Sequence, residues 1–110
     1  MMQLTIRDAL ALLGEKGENY AKLFSQPALD IALYKPDRTD PQTPHLRDEI
    51  YVIATGSGTF VQEDDSRPFG PGDLLFVPKG VPHRFVDFSA DFSTWVIFFG
   101  SVTSGPASAA

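Results

Sequence analysis

The stretch Gly72–Asp87, GDLLFVPKGVPHRFVD, constrains the fold of this chain more than any other stretch. It contains a short apolar run, a turn rich in proline and glycine, and then His83 at the start of a second apolar run. Pro78 and Pro82 disfavour a helix across the turn, and Gly80 permits a tight chain reversal. The stretch therefore predicts a β-hairpin that holds a histidine at the beginning of its second strand.

Similar patterns along the rest of the chain predict an all-β fold. Short apolar or alternating runs are separated by turns rich in glycine, proline and acidic residues, which is typical of a β-barrel or jelly roll. One short helix is expected first, over Thr5–Leu13, with Thr5 as its cap and Gly14 as its end. The predicted strands are Tyr20–Ser25, Leu29–Lys35, Glu49–Ala54, Thr59–Gln62, Arg67–Phe69, Leu74–Val77, His83–Phe88 and Thr94–Phe99.

Length and composition limit the domain count and the partners. A chain of 110 residues, 43% of them hydrophobic, supports one core, so we expect one domain over 1–100 and a flexible tail over 101–110. The net charge of -5 and the scattered basic residues argue against nucleic acid as a partner. No apolar run approaches the roughly 20 residues that span a membrane. The absence of cysteine and of a recognisable signal peptide fits a cytoplasmic protein.

Strand alternation places ionisable side chains on apolar faces. Glu49 shares a face with Tyr51, and His83 shares a face with Phe85. Buried charge has to be paired or bound to metal. The second histidine, His45, lies four residues before Glu49, at the end of a proline-rich connection. Two imidazoles and one carboxylate on inward faces can bind one divalent ion and leave positions open for water, substrate or O₂.

These two segments resemble the two sequence motifs of the cupin superfamily. In the first, three residues separate His45 from Glu49, and six residues separate Glu49 from Gly56. Asp87 stands where the second motif usually has asparagine. The residues that match the second motif are Gly72, Pro78, Gly80 and His83.

The resemblance implies a small single-domain cupin with a jelly-roll (cupin-like) double-stranded β-barrel. It also implies a divalent metal ion, Fe, Mn, Ni or Zn, bound by His45, Glu49 and His83. Thr43 stands where cupins commonly have the first histidine of the motif. Thr43 is therefore a possible additional ligand, and the alternatives are a vacant position or weak or absent metal binding.

Three functions are compatible with this pattern. The first is a metal-dependent enzyme, either a dioxygenase-like oxidoreductase or an isomerase, that acts on a small polar metabolite. The second is a non-catalytic module that binds a small molecule or a metal, and the third is a metal-free epimerase with a histidine as base. Tyr51, Phe85 and Trp95 are candidates to line the pocket for a small-molecule ligand. No catalytic residue is identified.

The two most hydrophobic strands predict self-association. EIYVIA (49–54) and TWVIFF (94–99) are apolar on both faces, and one barrel interior can cover only one of them. We therefore expect a homodimer that is joined through an outer sheet face.

Overall fold

One helix and eight strands make up residues 1–100, the part of the chain that the computed structural model describes. The strands form two antiparallel sheets, and the predicted all-β, jelly-roll architecture is confirmed. The predicted tail, 101–110, lies outside the described residues. The elements are α1 (Ile6–Lys16), β1 (Tyr20–Gln26), β2 (Leu29–Tyr34), β3 (Asp48–Thr55), β4 (Gly58–Gln62), β5 (Asp65–Phe69), β6 (Leu74–Val77), β7 (His83–Val86) and β8 (Ser93–Phe99).

The first sheet has the order β1-β2-β8-β3-β6, and the second has the order β5-β4-β7. Strand β3 pairs with both β8 and β6, so its backbone is fixed on both sides. Strands β4 and β5 form a hairpin, and β7 pairs with the other edge of β4. This topology sets β3 and β7 in opposite sheets. It also separates β6 from β7, so the hairpin predicted within Gly72–Asp87 is wrong: the turn at 78–82 connects the two sheets instead.

The helix is longer than the sequence predicts. Thr5 caps it as expected, because its hydroxyl accepts a hydrogen bond from the Asp8 amide at 3.1 Å. Gly14, however, lies inside the helix, and Gly17 ends it in the left-handed conformation with φ +65°. A glycine in a helix costs about 1 kcal/mol, which the buried face of α1 offsets. No helix within residues 1–100 combines the length and apolarity needed to cross a membrane.

The core lies between the inner faces of the two sheets. Tyr51 from β3, Phe60 from β4 and Phe85 from β7 pack together with ring centroids 4.8 to 5.9 Å apart. These separations are those of favourable edge-on or tilted aromatic pairs. The alternation of β3 thus points Tyr51 into the core, as the sequence predicts.

The outer face of the five-stranded sheet is also apolar. Helix α1 covers one end of it, where Leu33 packs with Ala9 and Leu13. Beyond the helix, Leu74 and Phe76 on the edge strand β6 are 62% and 49% exposed. We call the following set the outer apolar face: Ile31, Ile50, Val52, Leu74, Phe76, Trp95 and Ile97.

Gly56, in the turn after β3, should resist substitution. Its φ is +82°, and an added Cβ would lie 2.5 Å from the Cα of Phe92. We expect Gly56→Ala to lower the free energy of unfolding by about 2 kcal/mol or more, because it adds both backbone strain and a clash. Gly14→Ala is the control, since a Cβ there meets nothing within 4 Å and should stabilise the helix by about 0.5–1 kcal/mol. Urea denaturation measures both, and equal stabilities would contradict the prediction.

Candidate metal centre

The three predicted ligands come from different parts of the fold. Glu49 is the second residue of β3, where it is paired with Val77 on one side and Phe98 on the other. His83 is the first residue of β7, in the opposite sheet. His45 lies in the connection that precedes β3. The cluster therefore spans the gap between the two sheets.

The structure brings the three side chains together. Oε1 of Glu49 lies 3.2 Å from Nε2 of His83 and 3.6 Å from Nε2 of His45. The three potential ligand atoms all lie within 4.8 Å of one another. Glu49 and His83 are buried, and His45 is half-buried. The predicted convergence of two imidazoles and one carboxylate is thus present.

The carboxylate of Glu49 is only partly satisfied by the protein. Glu49 is 1% exposed, and among the described residues its Oε1 atom has no hydrogen bond of normal geometry. A buried charged group without such a partner destabilises a fold. Two imidazole nitrogens and one carboxylate oxygen form a donor set that suits divalent transition metals. These residues therefore fit a divalent ion.

The surroundings of the two histidines shift their pKa values in opposite directions. Nδ1 of His83 donates to the carbonyl of Val81 at 2.8 Å, which leaves Nε2 directed towards Glu49. Burial lowers the pKa of His83, but the Glu49 carboxylate and the Val81 carbonyl outweigh burial, so the pKa lies above its ordinary value. Burial lowers the pKa of His45 below its ordinary value, which favours its neutral, metal-binding form.

Two further polar groups contact the cluster. The Tyr51 hydroxyl lies 3.0 Å from Nε2 of His83, and burial, followed by Glu49, raises the pKa of Tyr51 well above its usual value. Gln42, which the sequence reasoning did not select, lies 3.0 Å from Nε2 of His45 through its Oε1 atom. Thr43 is exposed, and its role as a ligand stays a prediction.

A cavity of about 160 Å³ opens next to these groups. The rings of Tyr20, Tyr34 and Phe98 line it together with Val96, and Tyr51 lies at its polar end. An apolar cavity of about 150 Å³ is large enough for benzene. Within residues 1–100, no lysine or arginine lines this cavity.

Two predicted pocket residues lie elsewhere. Phe85 is 1% exposed and packs in the core behind Tyr51 instead of lining the cavity. Trp95 pairs with Val52 on the outer apolar face, where it lines a separate cavity, and its role in ligand binding stays a prediction. Strand β8 is apolar on both faces, so its sequence did not reveal which face meets the cavity.

The chain belongs to the cupin superfamily. Residues 31–95, more than half of the chain, match the family Cupin_2, described as a cupin domain. This stretch contains the jelly-roll strands from β2 to the start of β8 and all three candidate ligands. The predicted membership is therefore confirmed.

The curated proteins that this chain resembles include two named enzymes. The chain is 30% identical over 81 residues to the uncharacterized protein SCO3923 of Streptomyces coelicolor, covering 72% of this chain and 77% of that protein. It is 34% identical over 67 residues to dimethylsulfoniopropionate lyase DddQ of Ruegeria pomeroyi, covering 60% and 33%. It is 34% identical over 79 residues to acireductone dioxygenase of Gluconacetobacter diazotrophicus, covering 67% and 44%. The chain thus spans less than half the length of these two named enzymes.

Solved structures support the fold alone. KdgF from Halomonas sp. has a TM-score of 0.65 at 24% identity, covering 73% of this chain and 77% of that one. A Cupin 2 conserved barrel domain protein from Salinispora arenicola has a TM-score of 0.64 at 21% identity, covering 91% and 88%.

Glu49→Gln should separate stability from metal binding. Because the buried carboxylate of Glu49 lacks full hydrogen bonding, we expect its neutral isostere to raise the free energy of unfolding of metal-free protein by about 1 kcal/mol. The same change removes a charged ligand, so added Mn²⁺ or Zn²⁺ should no longer raise the melting temperature. Thermal denaturation of chelator-treated protein, with and without added metal, measures both effects.

The matched control is Glu15→Gln, at an exposed position of α1. It should change stability by less than about 0.5 kcal/mol and should keep the metal-dependent rise in melting temperature. A Glu49→Gln variant that is destabilised and still stabilised by metal like the wild type would contradict the prediction.

Proposed function

We propose that this cupin is a metal-dependent enzyme that holds one divalent ion through His45, Glu49 and His83 and acts on a small organic molecule in the adjacent cavity. The observation that carries the proposal is the buried Glu49 carboxylate, which faces two imidazoles and has an oxygen without a hydrogen bond among the described residues. A fold retains a buried carboxylate with an incomplete set of hydrogen bonds mainly where function uses it.

The cavity defines the kind of substrate. Its volume of about 160 Å³ and its aromatic lining suit a compact molecule with an apolar body. The polar groups lie at one end, around Tyr51 and Glu49, so the reacting oxygen atoms of the substrate belong there. Among the described residues no lysine or arginine lines the cavity, so it lacks the cationic side chains that most often bind a phosphate group. This favours a small metabolite with a polar head over a sugar phosphate.

The protein's own residues would bind and orient this molecule. A bound divalent ion supplies Lewis acidity or the activation of O₂. The hydroxyl of Tyr51 keeps its proton and donates a hydrogen bond to Oε1 of Gln42, which fixes both side chains at the polar end of the cavity. Tyr20, Tyr34 and Phe98 exclude bulk water and strengthen the polar contacts at the centre.

Among metal-dependent reactions, we favour a dioxygenase-like oxidation over an isomerisation. Two imidazoles and one carboxylate form the ligand type found in non-haem Fe(II) oxygenases, which keep positions open for substrate and O₂. The 34% identity to an acireductone dioxygenase supports this choice. The lack of lysine and arginine among the described residues of the cavity counts against the isomerisation of a sugar phosphate.

One observation favours a second candidate, the metal-free epimerase. The Tyr51 hydroxyl lies 3.0 Å from Nε2 of His83, which pairs a potential acid with a potential base. This reading leaves the carboxylate of Glu49 without a role beyond its contact with His83. Metal analysis distinguishes the two candidates directly.

Protein purified without chelator or affinity tag should contain about one equivalent of Fe, Mn, Ni or Zn. His83→Ala should lose this metal, because it removes a buried ligand nitrogen. Elemental analysis of both proteins measures the content. The matched control is Arg84→Ala, which alters the neighbouring, exposed residue of β7 and should leave the metal content unchanged.

A folded wild-type protein that stays metal-free after incubation with all four ions would overturn the metal-dependent proposal. If metal is bound, oxygen uptake by the Fe²⁺-loaded protein with acireductone as the first probe tests the oxidation. Uptake that disappears in His83→Ala supports a catalyst. Stoichiometric metal without turnover of acireductone, or of any other small enediol, supports the non-catalytic binding module.

We further propose that the protein is a homodimer joined through the outer apolar face. The exposed Leu74 and Phe76 lie on β6, an edge strand within the described sheet, and exposed apolar edges tend to associate. A second copy is a partner that is always present, and a two-fold contact lets each face cover the other. The seven side chains of the outer apolar face are uncharged, and Asp48 lies at the end of this face on β3. The predicted cytoplasmic location stays a prediction.

Phe76→Lys should convert the dimer into a monomer. The substitution would bury a charge in the dimer contact. It should leave the core of each chain unchanged, because Phe76 is 49% exposed in the single chain. Light scattering should give about twice the 12.0 kDa chain mass for the wild type and about the chain mass for the variant. Ser66→Lys, on the exposed strand β5, is the control and should remain dimeric. A wild-type monomer at micromolar concentration would refute the dimer.

A further inference from the structure

The side chain of Gln42 reaches the metal centre from the proline-rich connection before β3. Its Oε1 atom accepts a hydrogen bond from the Tyr51 hydroxyl at 2.8 Å and lies 3.0 Å from Nε2 of His45. Gln42 also lines the cavity next to Glu49. A carbonyl oxygen thus lies in direct contact with a candidate ligand.

Asp40 fixes which end of the Gln42 amide faces the centre. Nε2 of Gln42 donates to Oδ2 of Asp40 at 2.6 Å. The same carboxylate accepts from the Tyr34 hydroxyl at 2.5 Å and from the Phe85 amide at 2.8 Å. An ionised carboxylate can only accept hydrogen bonds, so the amide NH₂ must face Asp40. The carbonyl oxygen of Gln42 therefore points to His45 and Tyr51.

Five polar atoms form a closed ring around the centre of the cluster. They belong, in order, to Gln42, His45, Glu49, His83 and Tyr51, and neighbouring atoms are separated by 3.0, 3.6, 3.2, 3.0 and 2.8 Å. Two ligands bound to one ion at about 2.0–2.2 Å, at tetrahedral or right angles, lie about 2.8–3.6 Å apart. Neighbouring atoms of the ring therefore have the spacing of adjacent ligands around one ion.

We propose that Gln42 supplies the fourth protein ligand of the ion, a neutral carbonyl oxygen. It would take the role of the first motif histidine, whose position in this chain is occupied by Thr43. This inference rests on the proposed metal-dependent function. Thr43 is exposed, whereas Gln42 has its oxygen inside the cluster. The Tyr51 hydroxyl donates a hydrogen bond to Gln42. Of these two groups, the carbonyl oxygen of Gln42, which keeps a free lone pair, is the better metal ligand. Asp40 is a positioning residue that orients the Gln42 amide.

The proposal predicts how substitutions change metal affinity. Gln42→Ala should weaken Mn²⁺ or Zn²⁺ binding about 10- to 100-fold, since it removes a ligand oxygen. Gln42→Asn should do the same, because it keeps the amide but is one methylene too short to reach. Gln42→His should strengthen binding, since Nε2 of histidine has nearly the reach of Oε1 of glutamine and imidazole binds these metals more strongly. Isothermal titration of metal into chelator-treated protein measures each affinity.

A spectroscopic count of nitrogen ligands distinguishes a residue 42 that coordinates the ion from one that only positions the other ligands. Cu²⁺-loaded wild-type protein should show two imidazole nitrogens in its electron paramagnetic resonance spectrum, and Gln42→His should show three. Thr43→Ala and Thr43→His are the matched controls from the adjacent residue. They should bind metal like the wild type and should show two nitrogens, because residue 43 is exposed.

Each outcome decides the proposal. If Gln42→Ala and Gln42→Asn bind metal as tightly as the wild type while His83→Ala does not, the inference about Gln42 fails and the proposed function stands. A third nitrogen in Thr43→His but not in Gln42→His would assign the fourth position to residue 43 instead. A wild-type protein that binds no metal overturns both the inference and the proposed function.

Discussion

The burial of the Glu49 carboxylate is the constraint on which the rest of the site depends. Strand β3 has partners on both sides, so the main chain cannot shift to carry this side chain into solvent. Alternation along the strand turns Glu49 inward and leaves Asp48 at the rim, where Asp48 accepts a hydrogen bond from the Lys79 amide. The fold therefore places a carboxylate in its interior, and the two imidazoles next to it reduce the energetic cost of burying it.

A second carboxylate, that of Asp40, ties the irregular part of the site to both sheets. It accepts hydrogen bonds from Tyr34 at the end of β2 and from the backbone amide of Phe85 in β7. These elements belong to opposite sheets, so Asp40 anchors the irregular connection before β3 to both of them. The amide of Phe85 lies on the free edge of β7 within the described sheet, where an unpaired donor would otherwise remain. The same hydrogen bonds that complete the sheet edge also orient Gln42.

Periodicity in the sequence explains what could be predicted and what could not. Glu49, Tyr51 and His83 lie in or at the start of strands, where a period of two fixes the direction of each side chain. Gln42 lies between two prolines in an extended connection, where no period applies and only long-range contacts decide the direction. Trp95 lies in a strand that is apolar on both faces, so the pattern carried no information about which face meets the cavity.

The charges around the cavity limit what the centre can attract. Glu49 and Asp40 bring two carboxylates to it, and a divalent ion would only offset them. The nearby Arg47 does not add positive charge to the cavity, because its guanidinium pairs with Asp30 at 2.6 Å. A doubly charged anion would thus meet no excess positive charge and an aromatic wall that cannot solvate it. A neutral or singly charged molecule, bound through its oxygen atoms at the polar end with its apolar body against Tyr20 and Phe98, agrees with both properties of the cavity.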